Sequence, residues 1–276
     1  MNYDTIIVRY SEIFLKSDFV RNQLEKKLSE NIKSGIKTRE ITAKLTRERG
    51  RIFITTSQTE EISCLLKHVF GILSFSPTIK IKLDELEDFV KINAEKMLKG
   101  KTFAARVKRE GVHEFTSKEM GARLGEIVIE ATNKKVDLTN PESELFVEVR
   151  DQDVYVFTEK VFGPGGIPLG SQGRVNCFVD SDEGLAACWL MMKRGCTPNI
   201  YHTISVDALD KWSYGNKLKK IRVKSIEEVG SDHPLVVGDR LEKDGIKRYD
   251  GFATVLAPII AFTKDEINQS VKKINT

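Results

Sequence analysis

Residues 103–170 constrain the fold of this chain most strongly, because they combine a basic strand, a capped helix and a strand pair in one run. Residues 103–109 alternate apolar and polar side chains, which predicts a half-buried strand with one basic face. Thr116 and Glu119 match a capping box, so a helix is expected to start there. Its apolar positions recur at helical spacing as far as 134–135, where two lysines suit a helix C-terminus.

Two further strands are predicted at Leu145–Val149 and Val154–Phe157, joined by a turn at 151–152. The segment 163–168 reads Gly-Pro-Gly-Gly-Ile-Pro and is expected to end regular structure. The stretch is therefore expected to form an α/β layer, together with a helix at 84–98.

The motifs of this stretch closely resemble the THUMP domain of the tRNA 4-thiouridine synthetase (ThiI) family. The matching residues are, in order, Lys108-Arg109 with 113–117, Val136-Asp137-Leu138 with Asn140-Pro141, Val147-Glu148, 154–156, 158–160 and 163–168. The resemblance implies a domain that holds the acceptor end of tRNA. The residues by themselves indicate only a basic strand followed by a capped helix.

The first 75 residues are predicted to form a small α+β unit with a ferredoxin-like order of elements. Strands are expected at 5–9, 52–54 and 73–81, and helices at 18–32 and 60–70. Residues 9–12 and 15–16, which read Arg-Tyr-Ser-Glu and Leu-Lys, resemble the opening motif of the same family. There the motif lies in a ferredoxin-like domain that works with THUMP.

The chain after residue 170 has a parallel, nucleotide-binding-like α/β pattern. Strands are predicted at 174–179, 200–206 and 234–237, with a helix at 185–194. The resemblance to the family's adenylating PP-loop domain continues through Gly173, Ala186-Ala187, 190–195, 235–239, Pro258-Ile259 and 264–267. The expected fold class is therefore α/β and α+β. A ferredoxin-like domain (1–75) and an α/β THUMP domain (76–165) precede a Rossmann-like parallel domain (172–276).

This chain departs from the family at the turn between the first strand and helix of the third domain. The family has a Ser-Gly-Gly-x-Asp-Ser loop there, whose glycines let backbone N–H groups approach ATP phosphates. The aligned residues of this chain are Val179, Asp180, Ser181, Asp182, Glu183 and Gly184. Their carboxylates would repel a phosphate by on the order of 1–4 kcal/mol per contact. Magnesium could reverse that sign, whereas the simpler interpretation is a helix N-terminus stabilised by acidic side chains.

Two other parts of the family pattern are missing. Residues 240–249 replace a segment rich in Gln and Ser/Thr, and the sequence stops before the family's sulfur-handling cysteine. The four cysteines form no CxxC pair, so neither a zinc site nor a disulfide framework is indicated. Cys188 lies on an apolar helix face and is expected in the core. We therefore assign no catalytic residue and no metal ligand from the sequence.

Basic residues concentrate where the resemblance implies tRNA. By count, residues 1–51 hold 12 Lys/Arg against 7 Asp/Glu, and residues 101–135 hold 8 against 5, in a chain of net charge +4. Solvated faces, or charges on an edge loop that discourage aggregation, are the alternatives. The candidate RNA-binding residues are Arg9, Lys16, Arg47, Arg49, Arg51, Arg106, Lys108, Arg109, Lys118, Lys134 and Lys135.

The leading hypothesis is a ThiI-like protein that binds the tRNA acceptor end and has lost its adenylation motif, with no cofactor expected. The alternative is an active tRNA sulfurtransferase that uses ATP, Mg and an external sulfur carrier. A third, weaker hypothesis is a role in thiamine biosynthesis, although no residue argues for a thiazole precursor site. A homodimer and a separate catalytic partner stay open. No membrane span or signal peptide is visible, so a cytoplasmic protein is expected.

Overall fold

The computed structural model describes residues 3–10, 13, 17–48, 50–241 and 249–276. The chain divides into two compact units. The first unit contains Met1–Val8, Thr42–Thr59 and Phe75–Val161, and the second contains Arg9–Ile41, Glu60–Ser74 and Phe162–Thr276. The domain boundaries expected from the sequence stay a prediction.

The described residues form six α-helices and fourteen strands. The helices are α1 (Asp18–Thr38), α2 (Thr59–Leu66), α3 (Leu86–Met97), α4 (Ser117–Thr132), α5 (Asp182–Lys193) and α6 (Lys264–Asn275). The strands are β1 (Thr5–Arg9), β2 (Lys44–Glu48), β3 (Arg51–Thr55), β4 (Ser74–Lys82), β5 (Thr102–Glu110), β6 (Lys135–Val136), β7 (Ser143–Arg150), β8 (Asp153–Phe157), β9 (Val161–Phe162), β10 (Arg174–Val179), β11 (Thr197–His202), β12 (Lys219–Arg222), β13 (Leu235–Val236) and β14 (Val255–Leu256). Short 3₁₀ turns lie at 83–85, 207–213 and 226–228. No described helix is long and apolar enough to cross a membrane.

The first unit is built on a mixed sheet of nine described strands in the order β2-β3-β1-β4-β8-β7-β5-β6, with β9 beside β4. β7 and β8 form an antiparallel hairpin, whereas β5 runs parallel to β7 along its length. On one face, α3 and α4 bury a core against alternate residues of β5 and β7, including Phe103, Leu145 and Val147. This alternation is the period-2 pattern of a half-buried strand.

The capping box predicted at the start of α4 is present. The Thr116 hydroxyl accepts a hydrogen bond from the Glu119 amide (3.2 Å), and the Glu119 carboxylate accepts one from the Thr116 amide (2.7 Å). The bonds from Thr116 hold the pKa of Glu119 below its usual value. The helix ends at Asn133, which adopts the left-handed conformation that favours Asn and Gly.

The opposite face of this sheet curves onto itself. In a flat sheet β3 and β8 would lie three spacings apart, about 14 Å, yet the rings of Phe53 and Tyr155 stack with centroids 4.7 Å apart. Beside them, the Glu148 carboxylate accepts a hydrogen bond from the Arg150 guanidinium (2.9 Å) and lies 3.2 Å from Nε of Arg51. The side chain of Glu148 is only 5% exposed, so both arginines are ion-paired in a poorly hydrated layer.

The second unit contains a parallel sheet of five described strands in the order β12-β11-β10-β13-β14. The helix α5 follows β10 and packs on it with a buried face that includes Cys188 and Trp189. The predicted core position of Cys188 is confirmed. The helices α1 and α2 also belong to this unit, where Gly35 of α1 lies so close to Leu65 of α2 that a Cβ would meet it at 2.5 Å.

Most predicted elements are present, but several bounds differ. The strand expected at 200–206 spans Thr197–His202, and just after it the His202 ring donates to the carbonyl of Ile204 (2.7 Å). The helix expected at 60–70 ends at Leu66, where the backbone tightens into i→i−3 bonds. The helix expected at 18–32 continues to Thr38. The strands β2, β6, β9, β12 and β14 and the helix α6 were not predicted.

We expect the Glu148 cluster to contribute strongly to stability. Glu148→Ala leaves two largely buried guanidiniums without their shared carboxylate, which costs about 3 kcal/mol or more. The matched control is Glu144→Ala on the same strand, since Glu144 pairs with Arg106 at 36% and 39% side-chain exposure and should cost less than about 1 kcal/mol. Urea unfolding of both variants measures the difference, and equal destabilisation by the two substitutions would contradict the prediction.

Candidate nucleic-acid interface and nucleotide loop

The first candidate site is a groove in the first unit between α4 and the outer edge of β5. In the described chain, β6 pairs only with the start of β5, at Thr102 and Phe103. Residues 104–110 therefore leave one strand edge without a strand partner on that side. Such an edge presents unpaired backbone N–H and C=O groups that can contact a ligand.

Small residues on α4 open this groove. A Cβ at Gly121 would lie 3.8 Å from Val107, and a Cβ at Gly125 would have no atom within 4 Å. The groove has a volume of about 580 Å³ and a largely apolar lining. Val136 and Leu138, which are exposed apolar residues, contribute to one side of it. Sequence analysis missed these positions, although two glycines four residues apart inside a helical pattern were a usable signal.

Two predicted RNA-binding residues meet at this groove. Lys118 lies exposed in the first turn of α4, and Arg106 lines the opposite side. The guanidinium of Arg106 is fixed in place by Glu144 (2.9 Å) and by the carbonyl of Leu138 (2.7 Å). Glu126 is the acidic residue of the lining.

The other candidates in the first unit fall into two groups. Arg47, Lys108 and Lys135 are exposed, and Arg109 is half-buried with a long contact of 3.5 Å to the carbonyl of Gly111. Lys134 is held by the carbonyl of Gly100 (3.0 Å) and by Glu95 (3.4 Å), with only 11% of its side chain exposed.

The N-terminal candidates are distributed differently. Arg51 is paired with Glu148, so a phosphate would have to compete with a buried carboxylate for it. Arg9 is half-buried and belongs to the second unit. Lys16 and Arg49 lie outside the described residues. His113 bonds to the carbonyl of Glu110 (3.0 Å), as expected of a residue that orders the turn.

The second candidate site is the loop between β10 and α5. Ser181 is the N-cap of α5, and its hydroxyl accepts from the Gly184 amide (3.3 Å). The same hydroxyl donates to Asp180 (3.0 Å). The helix N-terminus, which is the usual anion-binding feature of such a turn, therefore has one of its free amides capped by its own chain.

The backbone of the next loop closes in on the same helix end. A Cβ on Gly238, just after β13, would lie 2.4 Å from the Gly184 amide nitrogen. A Cβ on Gly184 would lie 2.9 Å from the carbonyl oxygen of Phe178. Both positions therefore require glycine, because Gly238 approaches the backbone of the first turn of α5 and Gly184 approaches the backbone at the end of β10.

A cavity of about 610 Å³ remains at the carboxyl ends of β10 and β13. Asp180, Glu183 and Asp239 line it together with Arg240. The Tyr249 hydroxyl donates to Asp239 (2.7 Å). Burial, and to a lesser degree this hydrogen bond, raises the pKa of Tyr249 above its usual value. Of the segment predicted to be altered, 242–248 lies outside the described residues. No group of three or more potential metal-ligating side chains was found among the described residues.

Comparisons with known proteins match two domain families to residues 5–159 and whole-chain relatives to nearly the full length. A model of the ThiI ferredoxin-like domain matches residues 5–76, and a model of the THUMP domain matches residues 81–159. A probable tRNA sulfurtransferase of Saccharolobus islandicus is 31% identical over 328 aligned positions, which cover 98% of this chain and 86% of the relative. Another, from Methanobrevibacter smithii, is 40% identical over 211 residues, which cover 73% of this chain and 54% of the relative.

Solved structures share the fold. PH1313 from Pyrococcus horikoshii superposes with a TM-score of 0.83 at 26% identity, covering 99% of this chain and 100% of that one. A 4-thiouridine synthetase solved with RNA and ATP has a TM-score of 0.78 at 23% identity, covering 99% of this chain and 85% of that one, and shows the fold alone.

The chain belongs to the tRNA sulfurtransferase (ThiI) family, and its expected fold class is confirmed. It spans about half the length of several curated relatives, 54% and 53% for those of Methanobrevibacter smithii and Methanothermobacter thermautotrophicus.

Proposed function

We propose that this protein binds the acceptor end of tRNA through the first unit and that its nucleotide loop no longer supports adenylation. The observation that carries the RNA-binding part is the groove between α4 and β5. It combines an open strand edge, an apolar floor that can receive an unstacked base, and two cationic side chains, Lys118 and Arg106. Membership of a tRNA sulfurtransferase family supports tRNA as the ligand.

The proposal for the nucleotide loop rests on charge and on space. Asp180 and Glu183 face the cavity where an ATP phosphate would have to lie, and like charges repel across it. The Ser181 hydroxyl and the backbone at Gly238 occupy the approach to the Gly184 amide. In addition, the aligned span with the Saccharolobus islandicus relative has 328 positions, more than the 276 residues of this chain, so the relative has residues inside that span which this chain lacks.

The second candidate function is an active tRNA sulfurtransferase. The cavity at the carboxyl ends of β10 and β13 favours it, because open parallel sheets bind nucleotides at that edge. Under this proposal ATP and Mg would bind among the acidic side chains, and an external sulfur carrier would supply the sulfur. The names of the relatives favour it as well.

Other parts of the expected assembly stay predictions. A protein that acts on tRNA would work in the cytoplasm. A homodimer would double the basic surface, and a separate catalytic partner would supply the chemistry that the altered loop does not.

Lys108→Ala/Arg109→Ala should weaken tRNA binding and flatten its salt dependence. Each bound phosphate releases condensed counterions, so the log–log slope should fall by roughly one unit for every phosphate that the variant no longer binds. Filter binding over a series of salt concentrations measures it. Lys91→Ala/Lys96→Ala on α3 is the matched control, since it removes two exposed lysines of the same unit that do not line the groove. A slope equal to that of the control would remove Lys108 and Arg109 from the interface.

Gly125→Leu should block the groove without unfolding the protein. The space in front of Gly125 is open, so the leucine would lie where we expect an unstacked base. Gly125→Ala is the matched control, because it adds helix propensity of up to about 1 kcal/mol but little volume. We expect both variants to melt at or above the wild-type temperature and only the leucine variant to lose RNA affinity. Equal RNA affinity of the two variants would rule out the groove.

Calorimetry with Mg-ATP, with and without tRNA, distinguishes the two candidate functions. We expect tRNA to bind and ATP to release no heat, because the acidic loop repels phosphate. Micromolar ATP binding would reverse the order of the two functions. A variant with the family's glycine-rich loop at 179–184 tests how far the change extends. If it still fails to bind ATP, the approach of Gly238 to α5 is the remaining obstacle.

A further inference from the structure

A separate cavity of about 480 Å³ lies in the second unit where the C-terminal ends of α2, α5 and α6 converge. Its volume is within the range of small-molecule sites, about 300–1,000 Å³. The residues that matter for its chemistry are Lys67, His68, Phe162, Trp189, Trp212 and the lysine pair 272–273. Neither the groove of the first unit nor the loop of α5 includes any of them.

Aromatic rings form one wall of this cavity. Trp212 stacks on Phe70 with centroids 5.1 Å apart, and Trp189 meets Trp212 edge-to-face at 5.2 Å. Both indoles are 4% exposed, so they are held rigidly. Phe162, by contrast, is 76% exposed. The exposed ring of Phe162 can stack on a flat ligand that rests against the fixed aromatic wall, and such stacking contributes about 1–3 kcal/mol for a nucleobase.

Cations surround the aromatic wall. Lys67, Lys272 and Lys273 are exposed, and within the described residues none has a carboxylate within 4.0 Å. No acidic side chain is among the described residues that line the cavity. Lysines at helix C-termini also offset helix dipoles. That role explains their sequence positions, but it explains neither the cavity nor the exposed ring of Phe162.

His68 adds a hydrogen-bonding group of defined polarity. Its Nδ1 lies 3.0 Å from the carbonyl oxygen of Cys64, which can only accept, so Nδ1 carries the proton. Burial lowers the pKa of His68, and nearby cations lower it further. The hydrogen bond to Cys64 raises the pKa but does not offset these effects. In the neutral ring, Nε2 is therefore an acceptor, suited to a hydroxyl or an amino group.

We propose that this cavity is a nucleotide-binding pocket, distinct from the loop of α5, in which a base lies against Phe162 and the tryptophan wall while lysines contact its phosphate. The ligand is a free nucleoside monophosphate or an unpaired nucleotide of a bound RNA. Both sources present the same base and phosphate.

The chain contains two tryptophans, and both line this pocket, so intrinsic fluorescence reports on it selectively. We expect saturable quenching on titration with AMP or with a short single-stranded RNA, excited at the red edge of indole absorption. Quenching by AMP identifies a free mononucleotide as sufficient, whereas quenching by the oligonucleotide alone identifies RNA as the source. Phe162→Ala should weaken either response by removing the stacking ring.

The charge interactions are tested with Lys272→Ala/Lys273→Ala. Removing the ammonium groups that bind a phosphate should weaken binding roughly tenfold, whereas the control Lys224→Ala/Lys264→Ala removes two exposed lysines of the same unit outside the pocket. Quenching that does not saturate with either ligand would overturn the proposal. So would equal affinities of the two double variants, or calorimetric binding that leaves the tryptophans unquenched. The groove variant Gly125→Leu should retain AMP quenching, which separates this test from that of the groove.

Discussion

The first unit depends on the ion pairs of Glu148. This carboxylate lies on β7, in the middle of the sheet, and holds Arg51 of β3 and Arg150 at the curved face. A buried carboxylate with two guanidiniums is costly to desolvate and more costly to break, so these ion pairs stabilise the observed curvature of the sheet. Because β5 pairs with β7 along its whole length, the position of the groove edge follows from that curvature.

In the second unit, the core of the parallel sheet and the loop between β10 and α5 are stabilised by different residues. The parallel sheet is held by apolar residues such as Val175, Cys177 and Ile200, and none of these depends on the loop. The residues at the N-terminus of α5 face different requirements. Binding of a phosphate requires free backbone amides at the helix N-terminus. A helix N-terminus without a bound anion is stabilised instead by an N-cap side chain and by acidic residues in the first turn. Ser181 with Asp182 and Glu183 meets the second requirement, so the helix is stable without a ligand.

Local signals made much of this fold predictable. The capping box of α4 and the strand at 174–179 depend on neighbouring residues and were located from the sequence, the strand with its bounds. Thr263 and Glu266 form a second capping box that carried the same signal for α6. By contrast, Arg51 meets Glu148 only through sheet curvature, which no local pattern encodes. The groove at Gly125 and the pocket at Trp189 also depend on contacts between distant segments, so sequence reasoning could name basic residues but not their neighbours.

The same distinction separates the charged residues that we propose as RNA-binding from those that stabilise the fold. Arg51, Arg106 and Lys134 matched an RNA-binding pattern by charge and position, yet each is held by a carboxylate of its own unit. A paired cation loses part of its attraction for phosphate, since the partner carboxylate must be displaced or shared. The exposed lysines keep that attraction and have more freedom to adapt to an RNA backbone. In the proposed interface, an ion-paired arginine such as Arg106 therefore acts best as a fixed wall of the groove, while Lys118 on the opposite side provides the mobile charge.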